Sequence, residues 1–211
     1  TLSITLAKEH LQKFNTSSSS ASTVGIVPSA CSECLATALV SRSIVYRYMN
    51  NHDSAHDDLV DVVSRFGLKE NQQSIEQQQQ QQQEDSSTKI PILDEQVARA
   101  YYYLGDILMT DSSASTFNAQ EKAQKISEAT DYYLKAIEFN PNHGMAYYQL
   151  GVIYAPSEAT KNKSMDYFKI AMKKMPTHTS TMYNLGLAYY KYAFSLSNSA
   201  VAAVNSKQEI I

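Results

Sequence analysis

Cysteine occurs only twice in the 211 residues, at Cys31 and Cys34, too few for a disulfide framework. No apolar run reaches the roughly 18 residues that a membrane helix needs. Neither charge sign dominates. Eighteen Lys and Arg against 21 Asp and Glu leave a net charge of −3, so no global field draws the chain onto nucleic acid or an anionic membrane. Glycine and proline are scarce, at 6 and 5 residues. No glycine-rich phosphate loop, paired carboxylates or evident nucleophile stands out. The first residues lack the basic flank and apolar core of a secretory signal. A soluble protein of the cytoplasm or nucleus is expected. Its start at Thr1 and its stop at Ile211 inside a helix-like pattern mark it as a fragment or processed product.

What is present is helical periodicity. In "LSITLAKEHLQKF", residues 2 to 14, Leu2, Leu6, Leu11 and Phe14 recur at roughly helical spacing before a serine-rich loop. After Pro28, "CLATALVSRSIVYRYM" places Leu35, Leu39, Tyr46 and Met49 on a second helix. A third has Asp57 and Asp58 at its start, where carboxylates complement the helix dipole, a stripe of Leu59, Val62, Val63 and Phe66, and Gly67 as its stop. From Asn71 to Thr88 the composition collapses into glutamine, including an unbroken run from Gln77 to Gln83, which has too little apolar surface to offset its ordering entropy. This predicts a disordered insert over 71–90 between an amino-terminal helical region, 1–70, and a helical region over 91–211.

The last region repeats itself. "YYYLGDIL" at 101–108, "YYQLGVIY" at 147–154 and "MYNLGLAY" at 182–189 each place Leu-Gly after two bulky positions. Ala129, Tyr133, Ala136 and Pro141 match Ser164, Phe168, Ala171 and Pro176 in spacing, and both prolines and the pair Gly151 and Gly186 lie 35 residues apart. This resembles the tetratricopeptide (TPR) repeat, whose period is about 34 residues. The fold expected is all-α, with antiparallel hairpins stacked as a TPR-like α-solenoid in units of about 91–141, 142–176 and an incomplete 177–211. Gly105, Gly151 and Gly186 admit the paired helix, and Tyr133 or Phe168 fills the space between neighbouring hairpins. The first unit carries an inserted loop, "TDSSASTFNAQE". The third loses register after Phe194, leaving "NSAVAAVNSKQEII" as at best a displaced second helix.

Most tyrosines are thereby explained as core. Tyr102, Tyr148 and Tyr183 nonetheless recur at one place in successive first helices, beside Tyr103, Gln149 and Asn184. In the TPR family these places face a concave groove that holds peptides, so the resemblance implies a tyrosine-lined groove with side-chain amides able to bond a peptide backbone.

A narrower resemblance rests on "HDDLVDVVSRFGL" at 56–68, "YLGD" at 103–106, "YY" at 132–133, Pro141, Gly144 with "YYQL" at 147–150, and "KKMPTHTSTMYNL". In this order they are similar to the Est/Smg family, which joins a 14-3-3-like bundle to TPR hairpins and serves nonsense-mediated mRNA decay or telomerase. The likeness covers about residues 56–187. It implies a non-catalytic adaptor with a protein or peptide partner in a ribonucleoprotein pathway. Phosphoserine readers of that family carry arginine just beyond Leu-Gly-Asp, where this chain has Leu108, Met109, Thr110 and Asp111, so phosphopeptide reading is not carried over; Arg99, Lys122 or Lys125 are the available substitutes. The Lys and Asn clamp of chaperone-binding TPR domains is also missing, with Tyr102 and Asp106 where it would begin.

The rival is metal chemistry. Cys31 and Cys34 with His52 and His56 form two pairs with zinc-compatible internal spacing, which would make a zinc-dependent nucleic-acid module. The interval between the pairs reads as one helix about 24 Å long, which holds them apart unless it breaks. A redox role for the cysteines lacks its βαβ context. His143 and His178 follow Pro141 and Pro176 in turns, and Lys169, Lys173 and Lys174 read as a solvated basic face. No cofactor and no catalytic residue is expected. The alternatives are a groove-binding adaptor, a general TPR assembly scaffold, and the zinc module.

Overall fold

The computed structural model describes residues 29–67, 91–112 and 117–208, by backbone alone at 29–31, 112 and 198–208. The expected helix over 2–14, its serine loop and the glutamine-rich insert lie outside the described residues. Those residues hold seven α-helices, one short 3-10 helix and no strand, in agreement with the all-α reading. We number them α1 (Ser29–Tyr48), α2 (His52–Phe66), α3 (Ile92–Ser112), α4 (Ala119–Phe139), α5 (Gly144–Tyr154), α6 (Lys161–Lys174) and α7 (Thr179–Gln208), with the 3-10 helix at Glu158–Thr160. They fall into two compact units, Thr1–Asn140 and Pro141–Ile211. The divisions drawn from sequence at 70 and 90 both fall inside the first unit.

In the first unit α1 and α2 form a hairpin turned by Asn50, whose φ of 58° is left-handed, a conformation asparagine tolerates better than most residues. The Asn51 side chain accepts from the Ser54 amide, and the Gly67 amide donates to Val63 O. The cap at Asn51 starts α2 five residues before Asp57, so Asp57 and Asp58 are not at the helix start. Asp58 instead lies buried in the helix and takes a bidentate pair from Arg42, with Nε at 2.8 Å and Nη2 at 2.6 Å. The expected stripe on α1 also shifts. Ala36, Leu39, Val40 and Ser43 are buried, whereas Leu35, Tyr46 and Met49 are only partly so. The small residues at 36 and 43 admit α2, and Ser43 satisfies its hydroxyl on Val40 O at 2.7 Å.

The hairpin of α3 and α4 joins this core. Each of its helices has 21 residues, against 11 in α5 and 14 in α6. Both ends of the expected inserted loop, 110–112 and 119–121, are therefore helix; Asn118 and Glu121 form a capping box that starts α4 at Ala119. A Cβ on Gly105 would stand 2.8 Å from Tyr133 Cε1, so the ring lies directly on the glycine.

The second unit repeats that arrangement. A Cβ on Gly151 would meet Phe168 Cδ1 at 2.6 Å, and Ser164 Oγ donates to Gly151 O at 2.7 Å. Ala171 is fully buried on α6. The third glycine behaves differently. Among the described residues nothing lies within 4 Å of a Cβ placed on Gly186, because α7 runs unbroken for 30 residues and does not fold back on itself. No Pro or Gly occurs between 187 and 208 to end it. The displaced second helix expected after Phe194 does not form among the described residues; those up to Gln208 extend the first.

Candidate partner-binding groove

The two units present the groove residues differently. In the first, Tyr102 is 9% exposed, with its ring 5.8 Å from Tyr133 and 5.2 Å from Tyr103. It is a core residue and does not offer a ring to a partner, contrary to the expectation of a tyrosine at each rung. Its ring is covered from α4, by Tyr133. Beside it on α3, Tyr103 and Asp106 face α1: Arg47 ion-pairs with Asp106 and lies 4.7 Å over the Tyr103 ring. Tyr103 stays partly accessible and lines a pocket with Ile44, Arg47 and Tyr48. The Tyr133 hydroxyl is buried with no hydrogen-bond partner among the described residues. Burial pushes its pKa far above the ordinary phenol range, and nearby Asp106 adds to that. It therefore stays neutral and performs no acid-base work at physiological pH.

In the second unit the groove residues are brought together. Asn184 Nδ2 donates to Tyr148 Oη at 3.2 Å. Tyr148 stands edge-on to His178 at 5.1 Å and packs on Phe168 at 6.0 Å. Tyr183 is 70% exposed, and Gln149 is partly so. Asn184 also borders a pocket formed with Phe168, Leu187, Lys161, Glu158 and Lys191. An exposed phenol, a tethered amide and adjacent cations form a surface suited to an extended peptide.

His143 and His178, taken from sequence as turn residues, are equivalent helix starts 35 residues apart. His143 Nδ1 accepts from the Ala146 amide at 3.3 Å, and His178 Nδ1 lies 2.7 Å from the buried Thr181 hydroxyl. Lys169 pairs with Asp166 at 3.1 Å, and Lys174 bonds the Asn142 side chain. Of the substitutes for a phosphate reader, Lys125 is committed to Asp111 at 3.4 Å and to the Phe117 ring, and Arg99 reaches Gln96.

For the metal reading, α1 is continuous from Ser29 to Tyr48, and Cys34 is free and exposed. His52 caps back to Asn50 at 3.2 Å. Among the described residues no group of three or more His, Cys, Asp and Glu is gathered to hold a metal ion; the Cys31 side chain is outside them. No helix among the described residues is long and apolar enough to cross a membrane. Sequence reasoning missed Arg47, whose partners Tyr103 and Asp106 are more than 50 positions away. No local spacing signals such a contact.

Residues 132–166 match the tetratricopeptide repeat, the stretch from the middle of α4 through α5 into α6. The hairpins are therefore TPR-like, a class that serves protein–protein interaction. No curated protein matches the chain.

Proposed function

We propose that this chain is a non-catalytic adaptor that holds a partner peptide or protein on the second-unit surface formed by Tyr148, Gln149, Tyr183 and Asn184. The observation that carries the proposal is the bond from Asn184 Nδ2 to Tyr148 Oη beside an uncovered Tyr183. The bond orients the amide, so its carbonyl oxygen is available to a peptide N–H at little further entropic cost. The order of the short motifs over 56–187, similar to the Est/Smg family, supports a partner drawn from mRNA decay or telomerase ribonucleoproteins.

The test is co-purification from the native source with identification by mass spectrometry, followed by titration of the partner found. Tyr183→Ala and Asn184→Ala are each expected to weaken its binding about tenfold, while thermal unfolding changes little because neither side chain is buried. Unchanged affinity in both variants would reduce these residues to structure. Recovery of a different class of complex would transfer the adaptor reading to a general assembly scaffold.

A further inference from the structure

The repeat gives α7 an outward face with a defined vacancy. In each preceding hairpin the glycine after leucine receives an aromatic ring from an antiparallel helix: Gly105 from Tyr133 and Gly151 from Phe168. Gly186 occupies the same register and receives no ring from the described residues. Around it the surface is apolar. Met182 is 44% exposed, Tyr189 47% and Leu196 54%, and Thr179 and Ala193 are exposed as well. A contiguous uncovered strip of this kind is uncommon on a soluble monomer unless something binds it.

The strip has the pattern of a coiled-coil seam. Thr179, Met182, Gly186, Tyr189, Ala193 and Leu196 follow alternating steps of three and four residues, which keeps them on one side of a helix facing a partner helix. Turned antiparallel about a twofold axis between 187 and 188, the seam complements itself. Met182 then faces Ala193, Gly186 faces Tyr189 and Thr179 faces Leu196, each a larger residue against a smaller one. An interface between identical surfaces must satisfy this reciprocity, in which residue i meets j and j meets i.

Charge raises no objection. The only charged residue of α7 between 179 and 197 is Lys191, and it borders the pocket with Glu158 and Lys161 on the opposite side of the helix. Two copies of the strip can therefore meet without apposed like charges.

We infer that a second copy of this chain docks here, α7 antiparallel on α7, with each Tyr189 ring seated on the other copy's Gly186. The seam from 179 to 196 is about 27 Å long at 1.5 Å per residue. Two such helices cover on the order of 1,000 Å², the low end for a specific interface. The dimer is accordingly reversible, with dissociation in roughly the 10–100 μM range. The inference is distinct from the peptide surface proposed above in that none of Tyr148, Gln149, Tyr183 and Asn184 is a seam position; Tyr183 flanks the seam, next to Thr179 and Gly186 on the helix surface, so the test is made at Gly186 and not at Tyr183.

Sedimentation equilibrium of the whole chain from about 5 to 300 μM tests it. The wild type is expected to shift from monomer to dimer across that range. Gly186→Leu, at an exposed position where a Cβ meets no described residue within 4 Å, is expected to keep its helicity and weaken association at least tenfold. Register is read by disulfide trapping in a Cys31→Ser, Cys34→Ser background: Met182→Cys with Ala193→Cys is expected to form a covalent dimer on mild oxidation, and Lys191→Cys is not. A wild type that stays monomeric at 300 μM overturns the inference. So does a dimer that Gly186→Leu leaves intact, or one that Lys191→Cys traps equally well. Should the monomer instead take up a foreign helical peptide carrying an aromatic between small residues at −3 and +4, the face belongs to another protein and the second copy is wrong.

Discussion

Phe168→Ala is expected to destabilise the second unit by about 3–5 kcal/mol, the range for removing a fully buried phenylalanine. The residue is 1% exposed. Its ring covers Gly151 and touches Tyr148, so truncation opens a void where α5 and α6 meet. Collapse cannot fill it easily, because the facing residue is glycine and has no side chain to move inward. With total stabilities of roughly 5–15 kcal/mol for natural domains, the loss removes a large share of what holds the hairpin. Denaturant unfolding followed by circular dichroism measures it. A loss below about 1 kcal/mol would mean that the ring is not the seam between the helices.

The second large effect belongs to Asp58. Its carboxylate is 6% exposed and accepts both Arg42 bonds, while the Arg42 side chain retains 20% of its exposure. Removing one member of a buried pair strands the other charge and costs about 3–5 kcal/mol; partial solvent access for Arg42 reduces that to about 2–3 kcal/mol for Asp58→Ala. Arg42→Ala should cost at least as much, since the carboxylate left behind is the more buried partner. The double variant should lose less than the sum of the two single changes, because neither charge is then left alone. The same denaturation experiment distinguishes these cases. Additive losses would show that the two residues act independently and that the pair does not tie α1 to α2.

Hairpins were legible in the sequence because their signals are local or periodic. Leu-Gly at a 35-residue interval, small residues at Ala129 and Ala136 or Ser164 and Ala171, and the closing prolines each encode a packing demand of one helix on the next. The partner of each glycine was not read from spacing: Tyr133 and Phe168 were expected between neighbouring hairpins, and each instead lies on the glycine of its own hairpin. What was not legible depended on contacts distant in sequence. Tyr102 is buried under Tyr133, 31 positions away on α4, and α1 is held on α3 by an arginine almost 60 positions from its aspartate. The placement of Asp57 and Asp58 failed for a different reason: acidic residues favour a helix start, but Asn51 supplies a stronger cap and begins α2 earlier. In the third repeat the first helix was read correctly. Its continuation to Gln208 follows from the lack of any breaker, a signal present in the composition but outweighed by the expectation of another hairpin. The capping box at Asn118 and Glu121 was likewise available and would have shortened the predicted loop.

The contrast between a filled and an open glycine is what joins the fold to its binding surfaces, and a pair of alanine substitutions measures it directly. In Gly151→Ala the new methyl would lie 2.6 Å from two Phe168 ring atoms; overpacking of about 1–3 kcal/mol outweighs the roughly 1 kcal/mol gained in helix propensity. In Gly186→Ala the methyl meets open space, and the propensity gain of up to about 1 kcal/mol stands alone. Thermal unfolding in dilute solution should show a lower Tm for the first variant and a higher Tm for the second. Shifts of the same sign would contradict the assignment of one glycine to a closed seam and the other to a vacant one.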